Sequence, residues 1–326
     1  MVMDYRKINN IDIPVSPVSL GTWAFGGGVW WGPQEDKNSV EVIDEAIRGG
    51  ITMIDTAPVY GRGRSERVIG SFLRKYKLRE KIALATKLGL NWQGSDILHD
   101  LGKKRMLEEV DLSRSRLQTD YFDLYQVHWP DPDTPIAETA ETMYKLKQKG
   151  IIKAIGVSNY STDQISEFMK YCPLDCLQPE YSMFVRDIET EIIPICQKNN
   201  IAIISYAPLY SGLLTDKFFL KKATIPDDRN RKLKSLQFTE PYFSINQETL
   251  EKLKGIASNY QKTLTQLVIN WNFSQAGITS TIVGSRKPNQ LEENLGSMGW
   301  RLSREDLSKI NNILDQRDKK VEAIKE

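Results

Sequence analysis

The chain has 326 residues, and 44 Lys and Arg against 42 Asp and Glu leave a formal net charge of +2, which gives no electrostatic footing for nucleic acid as the main partner. Hydrophobic residues make up 40% and charged residues 26%, the balance of a soluble globular protein, and no apolar run has the length needed to cross a bilayer. Residues 1–10 are polar and charged where a signal peptide would be apolar, so the expected setting is cytoplasmic, with no membrane partner.

Eight short, nearly continuous apolar runs lie at 15–20, 52–55, 82–87, 124–128, 154–157, 176–178, 202–206 and 281–283. Such runs predict strands buried on both faces of a parallel sheet. Between them, Val40, Ile43 and Ile47, then Ile136, Ala140 and Met143, follow helical spacing. Leu264, Leu267, Val268 and Trp271 form the clearest apolar stripe, and Leu307, Ile310 and Leu314 place a helix after the eighth strand. Strand–helix units repeated eight times with right-handed crossovers predict a (β/α)8 TIM barrel spanning 1–326 as a single domain. An open doubly wound sheet is the alternative, but Gly26-Gly27-Gly28 lacks the G-x-G-x-x-G spacing and runs into Val29-Trp30-Trp31. Residues 207–246 form the longest stretch without periodicity, holding Pro208, Pro226, Pro241 and the charged run 227–232. A stretch of that length reads as a lid, a binding loop or a solvated excursion.

Cys172, Cys176 and Cys196 are odd in number, which argues against a disulfide framework. With His99 and His128 as the only histidines, a structural metal site lacks ligands, and inert buried thiols are expected instead.

In such a barrel the active site lies at the C-terminal ends of the strands. Asp55 ends the second predicted strand, with Tyr60 in the loop beyond it. Lys87 ends the third and His128 the fourth. Singly, each has a structural reading, as a buried ion pair or a hydrogen-bonded ring. Together they place four titratable groups on one rim, and an Asp and a Lys on neighbouring strands are costly to bury unless paired. Trp23, Phe25, Trp30, Trp31 and Trp129 fall in loops on the same rim, and aromatic side chains there suit an apolar substrate pocket.

Asp55-Thr56-Ala57-Pro58-Val59-Tyr60-Gly61 resembles the D-T-A-x-x-Y-G signature of the aldo-keto reductases. Residues 116–128, from Arg116-Leu117 to Val127-His128, resemble that family's R-L-x-x-D-Y-x-D-L-Y-x-x-H pattern, and Gly156-Val157-Ser158-Asn159 resembles its G-x-S-N strand end. Thr86-Lys87, Gln178-Pro179-Glu180-Tyr181 and Glu293-Asn294 extend the resemblance in order over nearly the whole chain. It is closest in character to bacterial aldo-keto reductases and, more distantly, to potassium-channel beta subunits.

The resemblance implies NADPH-dependent reduction of an aldehyde or ketone, reversible as alcohol oxidation. Tyr60 would be the general acid, Lys87 would lower its pKa, Asp55 would hold Lys87, and His128 would polarise the carbonyl and share the proton relay. It also implies that Ser158, Asn159 and Gln178 bind the nicotinamide carboxamide and that Tyr206 stacks on the ring. Ala207, Pro208, Leu209, Tyr210, Ser211, Gly212 and Leu213 would follow the pyrophosphate. Gly21, Thr22, Trp23 and Asp55 would line the cofactor cleft, with Trp23, Trp30, Trp31 and Trp129 around the substrate. Gly284, Ser285, Arg286 and Gln290 fall at the adenosine end, with Arg286 facing the 2′-phosphate; Glu293 and Asn294 either contact adenine or open a surface helix. Gly284 stands where many relatives have a basic residue, and Gln290 where an Arg is frequent, so the cofactor is read as NADP(H) with NAD(H) also usable. A nicotinamide-binding regulatory subunit with little turnover and a metal-dependent barrel hydrolase are the rival readings, the second short of histidines.

Overall fold

The computed structural model describes residues 4–94, 96–216 and 236–324, with the side chains of all of these except Val29 and Trp30. Eight parallel strands close into a barrel: β1 (Val18–Gly21), β2 (Met53–Asp55), β3 (Ala83–Leu88), β6 (Phe122–Val127), β7 (Ile152–Ser158), β8 (Cys176–Gln178), β9 (Ala202–Ser205) and β10 (Ile278–Gly284), with β10 pairing back onto β1. Helices pack around them, as in the (β/α)8 TIM barrel expected from the strand–helix alternation. Where the sequence supplies a cap, the helix start is visible in it. Thr263 and Gln266 bond reciprocally at the start of Leu264–Ser274, which satisfies amides left unpaired by the helix.

Side chains alternate across each strand, and that alternation builds two cores. Outward residues such as Leu20, Ile54, Leu84 and Val127 pack against the helices. Inward, Met53, Ala83, Ala85, Leu124, Ala154, Cys176, Ile204 and Ile282 fill the barrel axis. Two residues further along the same inward faces, the apolar plug gives way to Asp55, Lys87, Gln126 and Gln178, all buried. The barrel thus has a dry lower half and a polar mouth.

The first strand starts at Val18 and not at 15. Val15 instead pairs with Arg6 in an isolated antiparallel bridge, and Pro17, which has no N–H to give to a ladder, separates it from β1. The sequence pattern also gave no sign of an antiparallel hairpin, β4 (Leu90–Gln93) with β5 (Asp96–His99). Its β5 residues are exposed on both faces, so no period-two apolar pattern marks it. His99 ends this hairpin, and its Nδ1 lies 2.8 Å from the carbonyl oxygen of Pro130. The aperiodic segment 207–246 is interrupted by the helix Tyr242–Asn259. Pro226 and the run 227–232 lie outside the described residues.

Candidate active site

The loop after β2 brings Tyr60 back over the barrel mouth because it can approach the loop after β1 closely. A Cβ on Gly61, whose φ is +62°, would lie 2.4 Å from the carbonyl oxygen of Gly26. Hydroxyls lace the same two loops together. Thr22 donates to the Asp55 carbonyl (2.8 Å), Ser65 donates to Thr22 Oγ1 (2.9 Å), and Thr56 donates to Ser65 (3.0 Å). Thr22 is fully buried in this lacing, so its side chain is committed to structure. Gly21 lies opposite both Asp55 and Gly284 in the sheet, with room for no Cβ beside Ile282.

Lys87 is wholly buried, and each of its ammonium contacts is specific. It donates to Asp55 Oδ1 at 2.5 Å, to the Thr56 carbonyl at 3.1 Å and to the Tyr60 hydroxyl at 3.4 Å. Burial disfavours its charge, but Asp55 and Tyr60 together outweigh that and hold it above its ordinary value. The other Asp55 oxygen accepts from Gln126 (3.1 Å) and Gln178 (3.0 Å), and Gln178 also donates to Gln126 Oε1.

For Tyr60, burial is the largest influence and raises the phenol pKa; the pull of Lys87 opposes it without overcoming it, and Asp55 pushes upward again. The net direction is therefore the reverse of the lowering expected from Lys87 alone, because sequence reasoning saw the cation and not the desolvation. His128 is shifted by its surroundings in the same manner. Its ring meets that of Tyr60 edge to face, with centroids 5.9 Å apart. Burial first, then the like charges of Lys87 and His99, push its pKa well below the ordinary value. Burial therefore favours the neutral ring, which carries one N–H donor and one acceptor nitrogen.

Further round the rim, Ser158 donates to the Gln178 carbonyl (2.7 Å), and Asn159 donates to the carbonyl of His128 and to Ser158 Oγ. Tyr206 donates to Asn159 Oδ1 at 2.8 Å. These groups, expected at the nicotinamide end, thus form one hydrogen-bonded arc from His128 to β9. In the loop that follows, Ala207, Tyr210 and Ser211 all have positive φ. Three non-glycine residues held in the left-handed region within five positions are uncommon and mark a site held by its surroundings. Leu213 packs its side chain into a small core with Phe238 and Phe243.

Where the adenosine end is expected, Ser285 and Asn294 are buried and bonded to each other at 3.0 Å. Glu293 accepts from Thr263, and the exposed Gln290 accepts the backbone N–H of Arg286. Asn294 lies inside the helix Pro288–Leu295. Among the aromatic residues, Trp23 packs edge to face on Trp31 (5.3 Å between centroids) and lies 6.2 Å from Tyr60. Trp129 is exposed at the rim, and the side chain of Trp30 lies outside the described residues.

Two features of the site went unread in the sequence. Gln126 braces Asp55; the signal was a polar residue two before His128 in an apolar strand, which alternation places inward. Behind β3, the buried Glu66 accepts from Thr86 (2.8 Å) and pairs with Arg116 (2.5 Å), so the Arg of the 116–128 motif holds the strand that carries Lys87. The three cysteines are buried, and burial pushes the thiols of Cys172 and Cys196 up to about 12.

A closed parallel barrel with a buried Lys–Asp pair beside a Tyr and a His at its C-terminal mouth defines a class of barrel with four titratable side chains gathered on one rim. The sequence comparisons make that class specific. The model of the aldo/keto reductase family matches residues 17–315, and the chain belongs to that family. An aldo-keto reductase of Bacillus subtilis (strain 168) is 42% identical over 96% of this chain and 94% of its own. The NADH-specific methylglyoxal reductase of Escherichia coli (strain K12) is 34% identical over 94% and 97%. Of solved structures, a glycerol dehydrogenase from Gluconobacter oxydans superposes with a TM-score of 0.89 at 37% identity, covering 97% of each chain. An aldo-keto reductase from Klebsiella pneumoniae in complex with NADPH gives 0.74 at 25% identity, covering 96% of each.

Proposed function

We propose that this chain is an NAD(P)H-dependent carbonyl reductase, acting reversibly on small aldehydes or ketones, with Tyr60 as the proton donor. One observation carries the assignment of the donor. The Tyr60 hydroxyl accepts a bond from the buried Lys87 ammonium and, among the described residues, donates to no acceptor, so its proton is directed to whatever enters the mouth. Family membership and the relatives that handle methylglyoxal and glycerol support the reaction class.

The residues at the rim fit a dinucleotide. Tyr206 offers an aromatic face, Ser158, Asn159 and Gln178 offer polar groups to the carboxamide, and the loop with left-handed backbone at Ala207, Tyr210 and Ser211 offers a cradle for the pyrophosphate. Arg286 would take the 2′-phosphate of NADP(H). The NADPH-bound Klebsiella pneumoniae structure and the NADH-specific Escherichia coli relative support a reading in which NADP(H) binds and NAD(H) is also usable.

Bound reduced nicotinamide supplies a hydride to the carbonyl carbon. The chain's residues manage the oxygen. His128, neutral, donates a hydrogen bond to it and draws charge onto it. Tyr60 then passes its proton to that oxygen as negative charge develops there. Lys87 stabilises the phenolate left behind, and Asp55, held by Gln126 and Gln178, keeps the ammonium aimed. Positioned proton transfer of this kind contributes roughly 10²–10⁴-fold. Trp23 and Trp31 form the apolar wall beside Tyr60.

Tyr60→Phe tests the central role. The ring and its packing remain and only the proton is lost, so the variant should bind NADPH with wild-type affinity in a fluorescence titration while losing at least about 10²-fold in kcat. Near-wild-type reduction of an aldehyde panel by Tyr60→Phe would remove Tyr60 from the role of acid.

A further inference from the structure

Arg286 is gripped on one edge. Its Nε donates to Gln34 Oε1 at 3.2 Å and its Nη2 to the Pro33 carbonyl at 2.5 Å. Gln34 returns the bond, donating from Nε2 to the Arg286 carbonyl at 3.1 Å and to Ser39 Oγ at 3.2 Å. Gln34 is buried, so its amide is fixed by three partners and fixes the arginine at both backbone and guanidinium. The short loop that carries Gln34 is itself anchored. Arg64 donates to the Gln34 carbonyl and pairs with Asp36 at 2.7 Å. Asp36 is thus already paired with a cation.

A guanidinium carries five N–H groups in a rigid fork. The grip uses Nε–H and one N–H of Nη2 and leaves both N–H groups of Nη1 and the second of Nη2. Of those three, one on Nη1 and the one on Nη2 point in parallel off the end of the fork and can take a phosphate by two bonds, while the other Nη1 N–H points back along the opposite edge. We propose that Gln34 is a cofactor-selectivity residue: it holds the guanidinium of Arg286 by its inner edge so that the outer end is presented to the 2′-phosphate of NADP(H). Arg286 then enters the complex already oriented, and less rotamer freedom is lost on binding. Gln34 lies about 250 residues from Arg286 in sequence and follows the loop after β1, so chain position gives no hint of the link. The inference rests on the reading that Arg286 faces the 2′-phosphate.

Dissociation constants for NADPH and NADH, by fluorescence titration of the full chain, test it in wild type, Gln34→Leu, Gln34→Glu, Arg286→Ala and the double variant Gln34→Leu/Arg286→Ala. Arg286→Ala should weaken NADPH about 10–150-fold and leave NADH within twofold. Gln34→Leu should weaken NADPH about threefold to tenfold, again sparing NADH, and the double variant should bind NADPH no more weakly than Arg286→Ala alone, as expected of two residues acting through one contact. Gln34→Glu keeps the size and an acceptor for Nε but pairs the guanidinium with a carboxylate, so it should shift preference toward NADH even if Gln34→Leu proves unstable. If Arg286→Ala is selective while neither Gln34 variant changes the NADPH-to-NADH ratio, or if Gln34→Leu tightens NADPH, the proposal is overturned and the phosphate reading stands. If Arg286→Ala weakens both cofactors equally, or neither, the phosphate reading falls and takes the proposal with it.

Discussion

Lys87 and Asp55 are both buried, and a buried charge deprived of its partner costs about 3–5 kcal/mol. Lys87→Met therefore carries two separable consequences. Asp55 loses its cation but keeps the N–H donors of Gln126 and Gln178, so the loss of stability should fall toward the lower end of that range. Asp55→Asn in the same chain should recover part of it, measured as urea midpoints. Independently, Tyr60 loses the one nearby influence that draws its raised pKa downward, so the alkaline limb of the pH–rate profile should move to higher pH while kcat falls. An unmoved limb would make Lys87 a purely structural partner of Asp55. The pair's own pH dependence lies elsewhere. Because Lys87 is raised in the folded state, its stabilising contribution is complete below its ordinary value of 10.5 and fades only as pH climbs through the folded value. Asp55, Lys87 and His128 were legible in the sequence because each lies at or next to the C-terminal end of a strand, where position alone aims a side chain at the mouth. The sequence could not disclose the balance between Lys87 and burial at Tyr60, or the neutral state of His128, because desolvation belongs to the assembled rim.

The helix Lys103–Leu117 is fastened to β3 by one carboxylate. Glu109 accepts the Gly89 N–H at 2.9 Å, just past the end of the strand, and pairs with Arg105 at 3.1 Å. Burial is the largest influence on it, and against the pull of Arg105 its pKa is raised from 4.5 to about 7. The sign is unusual for a carboxylate. Below about 4.5 it is protonated folded or unfolded; between 4.5 and about 7 the unfolded chain releases the proton and the folded chain keeps it, so stability falls as pH rises; above that the full penalty applies. Glu109→Gln preserves an acceptor for Gly89 and cannot ionise. It should flatten the decline in Tm between pH 4.5 and 7 and leave the variant relatively more stable at pH 8, by up to about 3 kcal/mol, less whatever the lost pairing with Arg105 costs. An identical pH slope in wild type and variant would show that Glu109 does not govern this attachment. At this scale the repeated elements were legible wherever an apolar face had to be buried. The β4–β5 hairpin escaped because both sides of its second strand are exposed and no buried face imposed a pattern.

Barrel closure divides the molecule into two ends with different tasks. Side chains at the C-terminal mouth face reactants, whereas those at the opposite end serve the fold. Eight alternations of strand and helix made the closed sheet legible from sequence, but nothing in residues 4–17 foretold what seals its floor. Arg6 and Val15 pair there as a short antiparallel bridge, bonding at 2.8 and 2.7 Å. From it Arg6 reaches under β10, donating to the carbonyls of Phe273 and Ile278 at 2.8 Å each and of Thr279 at 3.3 Å. Its guanidinium also lies over the Phe273 ring. Burial is the largest influence on it and draws its pKa down against the pull of Asp4, the mark of a cation kept inside by its acceptors. Arg6→Met keeps the length and apolar stem and removes the donors, leaving carbonyls at the end of the helix Leu264–Ser274 and the start of β10 short of partners. Hydrogen bonds to a charged group contribute about 1.5–3 kcal/mol each in net terms; the partial exposure of Arg6 and the weaker third bond place the expected loss near 2–4 kcal/mol, a fall of several degrees in Tm. The catalytic constants should stay within about twofold, because no group at the mouth touches Arg6. Thermal denaturation and steady-state kinetics on one preparation separate the outcomes. A large fall in kcat/KM with Tm unchanged would mean that the floor of the barrel is coupled to its mouth, and that the division of labour between the two ends does not hold in this chain.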